Sequence, residues 1–328
     1  MNNRVIILYS NIDTKNCSPD NMDTIVQLRE ITAILEKNSY KVIPIPFTDS
    51  WDDLKKQIIN TDPVFIFNLV ETVKGTDKLA YLAAAFIEYL GYTYSGCPAW
   101  SLAALASKTS AKKILLGSNL PTADFFRLGD CFSGDKSGKW IVKSDTENAS
   151  FGLDSKSIID EADKAFSLLE DKTKTFGGSW FAERFISGRE FNVSIIDDSL
   201  GKPTVLTPAE MTLGGKTSLG DKIVDYAAKW DEESPDYTLL TRSFDYKQND
   251  SSLINKLYEI SYKCWSLFEL KGAARVDFRI DDKGNPWILE INANPCLSSD
   301  AGLAAAANYT GISHEDLIIG LIPIDRSI

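Results

Sequence analysis

Histidine is almost missing from this chain: His314 is the only one in 328 residues. That rules out histidine-rich metal sites and leaves almost nothing from which to build a triad around an imidazole base. The five cysteines, at 17, 97, 131, 264 and 296, are far apart and include no Cys-x-x-Cys pair. This argues against a zinc ribbon or a disulfide framework and fits reduced thiols in a cytoplasm. No lysine- or arginine-rich block occurs, and the net charge is −11. A phosphate backbone calls for the opposite sign, so nucleic acid is not an expected partner. No apolar run approaches the roughly 20 residues of a membrane span, so no membrane association is expected. The opening "MNNRVIILYSN" lacks a small-residue cleavage site and reads as a first strand, not a signal peptide. A Gly-x-Gly-x-x-Gly turn is also absent, which disfavours a dinucleotide site.

What is present is an ordinary globular composition, 44% hydrophobic and 25% charged. The length is too great for one core, so two or three domains are expected. The first ninety-odd residues alternate apolar strand runs ("RVIILYS", "KVIPIPF", "PVFIFNLV") with helical patterns ("MDTIVQLREITAILEKN", "WDDLKKQIIN", "LAYLAAAFIEYLG"). That order predicts an α/β fold, a parallel sheet with helices on both faces. The C-terminal part is richer in strands and reads as α+β. Composition shifts place units at 1–97, 98–178 and 179–328, and the weakly periodic stretch 213–236 reads as a lid or binding loop.

The most informative segment is "GAARVDFRIDDKGNPWILEINANP", Gly272 to Pro295. Read as a hairpin, it puts Arg275, Asp277 and Arg279 on one face and Val276, Phe278 and Ile280 on the other. On the return strand Ile288, Glu290 and Asn292 share a face, opposite Trp287, Leu289 and Ile291. A two- or four-residue turn within "DDKGN" sets Asp277 across from Glu290 and Arg275 across from Asn292. Two carboxylates directly opposed on a sheet repel, so something must offset them. Arg275 could, and so could a hard divalent cation taking two carboxylates and an asparagine oxygen. A solvated hairpin face is the competing reading.

A phosphate-handling cation site calls for cations nearby. Lys143 ends the apolar strand "WIVK" beside the small-residue loop "SDTENASFG", where it could reach phosphate oxygens; a surface lysine is the alternative. Lys108 and Lys112 share a helix face, with the same alternative. In "AERFISGRE", Glu183 and Glu190 are carboxylates suited to ribose hydroxyls, and the strand-end backbone is suited to adenine. "MTLGGKTS" fails as a P-loop, because its first glycine would have to stand at Glu210.

Taken in order, these pieces resemble the ATP-grasp superfamily and, within it, the D-alanine–D-alanine ligases. The resemblance runs over most of the chain and implies an ATP-grasp fold preceded by a Rossmann-like domain. "ALASKTSAKKILLGSNLPT" is similar to the segment that opens the central domain, with Lys108 and Lys112 at its two lysines. "WIVKSDTENASFGL" matches the nucleotide lysine and phosphate loop at Lys143, Ser150 and Gly152. "FAERFISGREFNV" places Glu183, Arg184, Phe185 and Ile186 at the adenine and Glu190 at the ribose. "DYAAKW" resembles the lid motif, with Lys229 at its lysine. "AARVDF" and "LEINANP" imply that Asp277, Glu290 and Asn292 hold Mg²⁺ (or Mn²⁺) and that Arg275 stabilises an oxyanion.

The implied reaction is ATP-dependent amide formation: a carboxylate is phosphorylated, an amine attacks the acyl phosphate, and ADP and phosphate leave. Amino acids or small peptides are the implied substrates. Only the resemblance points to a homodimer.

The chain also departs from the family pattern. The glycine-rich N-terminal loop and its glutamate are replaced by "YSNIDTKNCSPDN", and a His-Gly loop by "NLVETVKGTD". Ala149 stands at the first serine of the phosphate loop, Trp230 at the lid tyrosine, Cys296 at a C-terminal glycine and Ala301 at the serine that holds the second carboxylate. The ATP machinery is kept while the D-alanine recognition set is largely gone. A ligase for other amino acids, or a nucleotide-binding pseudoenzyme with a regulatory role, are the competing readings. Cys296 as a nucleophile with His314 as base is rejected, since no acid partner accompanies them and His314 reads as a surface residue at a helix start.

Overall fold

The computed structural model describes residues 2–12, 19–132, 134–197, 201–215, 219, 220, 223, 231, 233–246 and 250–322. Strands β1 (Arg4–Ser10), β2 (Lys41–Phe47) and β3 (Phe65–Leu69) form a parallel sheet in the order β2-β1-β3. Helices α1 (Pro19–Lys37) and α2 (Trp51–Thr61) connect them, and α3 (Tyr81–Leu90) follows. Successive side chains of a strand point to opposite faces, and β1 uses both. Val5 and Ile7 pack with Ile31 and Leu35 of α1, while Ile6 and Leu8 pack with Leu54 and Ile58 of α2 and Ile87 of α3. Unbroken apolar runs are what a sheet covered on both sides requires.

Helices α4 (Ala99–Leu105) and α5 (Lys108–Gly117) lead to a small antiparallel sheet. It comprises β4 (Phe125–Arg127), β5 (Trp140–Ser144), β6 (Ile158–Ile159) and β7 (Trp180–Arg184), in the order β4-β7-β5-β6, with α6 (Ala162–Phe176) on one face. A larger antiparallel sheet takes β8 (Arg189–Asp197), β9 (Pro203–Val205), β10 (Ala209–Leu213), β11 (Leu240–Ser243), β12 (Ala273–Ile280) and β13 (Pro286–Asn292). Its order is β11-β10-β8-β12-β13, with β9 beside β8. Helices α7 (Pro235–Leu239), α8 (Ser251–Leu267), α9 (Gly302–Tyr309) and α10 (His314–Gly320) complete the described α-helices.

Packing crosses the unit limits expected from composition. Leu102, Leu105 and Leu115 of α4 and α5 join the core of the large sheet with Phe191, Val276 and Phe278. Leu303, Ala307 and Ile318 of α9 and α10 join the core of the parallel sheet. Strand β7, placed after the break at 178 by composition, hydrogen-bonds to β4 and β5 of the small sheet. The chain passes from the small to the large sheet through the turn after Arg184. Gly188 enables that entry: its φ is +138, and a Cβ there would lie 2.1 Å from the carbonyl oxygen of Ile280. Most of the expected lid, 213–236, lies outside the described residues. Among the described residues no helix is long and apolar enough to cross a membrane.

Candidate active site

The large sheet has two unlike faces. Phe191, Val193, Val276 and Phe278 point into the core beneath α5 and α8. The alternate residues Glu190, Asp277 and Arg279 point the other way, into a cleft between the large and small sheets. The cleft is also lined by Lys108, Lys143, Ser150, Glu183, Arg184, Phe185, Ile186 and Glu290. Of the residues the sequence singled out, these therefore share one cavity. Gly152, Arg275 and Asn292 stand apart from its lining, and Lys229 lies outside the described residues.

The hairpin holds the expected register at the site, with Asp277 opposite Glu290 and Arg275 opposite Asn292. It does not hold it at the turn. Phe278 pairs with Ile288 and Arg279 with Trp287, so one residue, Leu289, is extra. The expected faces of β13 are corrected accordingly. Ile288 is fully buried in the core, and Leu289 joins Glu290 on the cleft side. A bulge beside a site re-aims side chains in this way. The turn closes over Asp281 and Asn285, with the Asp281 amide donating to the Asn285 carbonyl at 3.0 Å.

Opposed carboxylates need compensation, and each one here has a basic neighbour. Arg275 donates to both oxygens of Asp277, from Nε at 2.7 Å and Nη2 at 2.9 Å. Burial opposes the charge on Arg275, but the Asp277 carboxylate outweighs it and holds the guanidinium above its usual range. Asn192 Nδ2 also donates to Asp277 Oδ1, at 2.7 Å. Lys108 Nζ stands 3.8 Å from Glu290. Glu190 is met by Arg279 Nε at 2.9 Å, and Arg279 lies across the ring of Phe185. Arg279 is a cleft residue that the sequence reading assigned only to the hairpin face. The signal that could have found it is its parity with Asp277.

The opposite wall is built on Glu183. Its carboxylate is 1% exposed and contacts both Lys143 and Lys112, the latter at 2.6 Å. Burial alone would raise the Glu183 pKa, but the two ammonium groups overcome it and hold the carboxyl below its usual range. Burial pushes the Lys112 ammonium down, with Glu183 opposing. Lys112 also donates to Thr122 Oγ1 at 2.7 Å. One carboxylate thus serves two lysines, and the trio keeps a net positive charge facing the cleft through Lys143. Glu183, expected at the adenine, is also the buried anchor of both lysines.

The first part of the loop after β5 is tied down. Asp145 supports Ser107, the N-cap of α5, accepting from the Thr109 amide at 2.8 Å and from Ser107 Oγ at 3.0 Å, which fixes Lys108 at the helix start. Glu147 accepts from Thr76 Oγ1 at 2.7 Å, and the Asn148 amide donates to Asp77 at 2.7 Å. Ala149 and Ser150 adopt φ of 54 and 61, an uncommon conformation for side-chain-bearing residues. Gly152 packs against Trp180 and does not itself line the cleft. Asn292 lines an adjoining cavity with Lys108, Lys112 and Glu290, and its Oδ1 accepts from the Asn294 amide at 2.9 Å.

Among the described residues no group of three His, Cys, Asp or Glu side chains could hold a metal. Asp277 and Glu290 face each other across the hairpin, with the Asn292 amide two residues on from Glu290, and these are hard oxygen donors of the kind a divalent cation sharing its shell with phosphate takes.

The profile of the family described as D-ala D-ala ligase C-terminus matches residues 139–323, more than half of the chain. The chain belongs to the D-ala D-ala ligase family. An uncharacterised protein of Sinorhizobium fredii is 27% identical over 262 residues, covering 79% of this chain and 74% of its own length. A D-alanine–D-alanine ligase of Psychrobacter is 26% identical over 297 residues, covering 89% and 82%. A crystal structure of the D-alanine–D-alanine ligase of Bacillus anthracis superposes with a TM-score of 0.74 at 22% identity, covering 97% of this chain and 96% of that one. The fold is that of these ATP-grasp ligases. Burial, with the Asp23 carboxylate beside it, pushes the Cys296 thiol far above its ordinary range, which disfavours the thiolate. His314 follows the N-cap Ser313, as expected, but it is only partly exposed, with Nε2 2.8 Å from the Leu297 carbonyl oxygen.

Proposed function

We propose that this chain is an ATP- and Mg²⁺-dependent carboxylate–amine ligase that forms an amide through an acyl phosphate. Membership of the D-ala D-ala ligase family carries the reaction class, an ATP-dependent ligase. The observation that carries the site assignment is the convergence of Lys108, Lys143, Asp277 and Glu290 on one cleft. In this reading Lys108 and Lys143 neutralise the phosphates, Lys143 with charge to spare because the Glu183 carboxylate is shared with Lys112. Glu190 takes the ribose, and the backbone of Glu183 to Ile186 takes the adenine. Asp277, Glu290 and Asn292 would hold Mg²⁺, which supplies charge neutralisation at the transferring phosphoryl group. Arg275 spends Nε and Nη2 on Asp277, which leaves Nη1 as the donor for the tetrahedral oxyanion. Lys229 would close the site from the lid.

The expected units, 1–97, 98–178 and 179–328, serve here as substrate side, phosphate side and metal side. Ala149, Trp230 and Ala301 favour an amino acid or small peptide other than the D-alanine pair. The test is a screen of ADP and phosphate release over pairs of amino acids with ATP and Mg²⁺. Release that depends on one particular pair, with one amide formed per ADP, supports the ligase. Tight nucleotide binding with no release for any pair would leave the pseudoenzyme reading in its place.

A further inference from the structure

On the assumption that the ligase reading holds, we infer that Arg242 is a specificity-determining residue of this site and receives the carboxylate of the amine-bearing substrate. The register puts it on the right surface. Arg242 of β11 is opposite Met211 of β10, Met211 opposite Glu190 of β8, and Glu190 opposite Arg279 of β12. Directly opposed residues of antiparallel strands share a face. Arg242 therefore stands on the cleft side of the large sheet, the side of Glu190, Arg275 and Asp277.

Its partners distinguish it from the other cations there. Arg275 is committed to Asp277, Arg279 to Glu190, and Lys108 stands beside Glu290. Among the described residues Arg242 has no ion pair; its contact is a single 3.1 Å hydrogen bond from Nη1 to the Asp300 carbonyl oxygen. The guanidinium is exposed and lies against the start of α9, where a Cβ on Gly302 would sit 3.5 Å from Nε. The like charge of Arg275 repels the guanidinium, and the Asp300 carboxylate attracts it without forming an ion pair.

An exposed arginine set beside another arginine, with one neutral hydrogen bond, has most of its donor fork unspent. A planar carboxylate matches that fork. The helix start beside it adds to the same field, since Ala301 offers no side-chain cap to the first amides of α9. The substrate class follows: the acceptor is an amine with a free carboxylate, an amino acid or a peptide with an open C-terminus. Its amide-capped analogue would lack the group that Arg242 reads.

The test is binding, measured by titration calorimetry on the full chain with Mg²⁺ and a non-hydrolysable ATP analogue. A panel of D- and L-amino acids is compared with the matching amino-acid amides. The wild type is expected to bind at least one amino acid about tenfold or more tightly over its amide, as loss of one charge-assisted pair implies. Arg242→Ala is expected to remove that preference while leaving amide binding in place, and Arg242→Lys to restore part of it. Retained nucleotide affinity serves as the folding control. A wild type with no amino-acid preference, or a preference that survives in Arg242→Ala, overturns the assignment. Failure of the ligase reading looks different: the binding pattern would hold while no pair released ADP from ATP.

Discussion

The Glu183 carboxylate lies 2.6 Å from the Lys112 ammonium, and neither side chain is more than 2% exposed. Such a pair is costly to desolvate and more costly to break, because the surviving charge stays buried. Glu183→Gln takes from the buried Lys112 its contacting carboxylate and leaves it against Thr122 and Phe125, with only the more distant charge of Glu290. The expected loss is about 3–5 kcal/mol of unfolding free energy, read from urea denaturation at neutral pH.

The same group sets a pH dependence. The folded protein holds the Glu183 carboxyl below its ordinary value of 4.5. A carboxyl depressed by folding stabilises fully above its unfolded pKa, and that contribution fades as pH falls through the folded value. Wild-type denaturation midpoints should therefore drop below about pH 4.5 more steeply than those of Glu183→Gln. Parallel curves for the two proteins would remove Glu183 from the acid transition.

Gly152 is a second point where backbone and side chain constrain each other. Its φ is +65, and a Cβ would meet Trp180 Cη2 at 2.6 Å. Gly152→Ala thus combines an unfavourable conformation with a clash against a buried indole. About 1–3 kcal/mol of destabilisation is expected, together with a raised KM for ATP, because Ser150 and Phe151 of the same loop line the cleft. Thermal denaturation and tryptophan fluorescence check the first part, and ADP release against ATP concentration the second.

Much of this site was legible in sequence because strand parity and hairpin register are local properties. Alternation together with a two- or four-residue turn placed Asp277 beside Glu290 and Arg275 beside Asn292, and the pairing at those positions bears that out. The bulge at Leu289 was not legible, because "DDKGN" admits several turn lengths and only packing of Ile288 into the core selects one. The Lys112–Glu183 pair spans 71 positions and depends on β7 joining the small sheet, which no local pattern encodes. Arg242 carried no signal at all. Its meaning comes from three successive strand pairings and from the start of α9.

The proposed cation site predicts a separation of function from fold. Glu290 is about one-third exposed, and Lys108 Nζ stands 3.8 Å from it. Glu290→Gln keeps shape and removes charge, so stability should change by no more than about 1 kcal/mol. Mg²⁺-dependent ADP formation should fall by about 10²-fold or more. Chelation of divalent ions should abolish turnover in the wild type, and added Mg²⁺ should restore it. Unchanged turnover in Glu290→Gln would remove Glu290 from the metal set.

Substrate choice supplies the last prediction. Ala149 occupies a strained position in the loop after β5, with φ of 54, yet it offers no hydroxyl. Ala301 precedes α9 with no side-chain hydrogen bond to its amides. Hydroxyls at these two points are what the family resemblance associates with holding the first substrate and the second carboxylate. A site that has lost a hydrogen-bond partner for a small polar ligand typically loses about 0.5–1.5 kcal/mol per bond, and more when the ligand group is charged. With D-alanine as the only amino acid, ADP release should therefore run at least about tenfold below that with the preferred pair. Efficient D-alanyl-D-alanine formation, measured by product chromatography beside the ADP assay, would show instead that Arg242 and the backbone amides of α9 replace the missing hydroxyls in full.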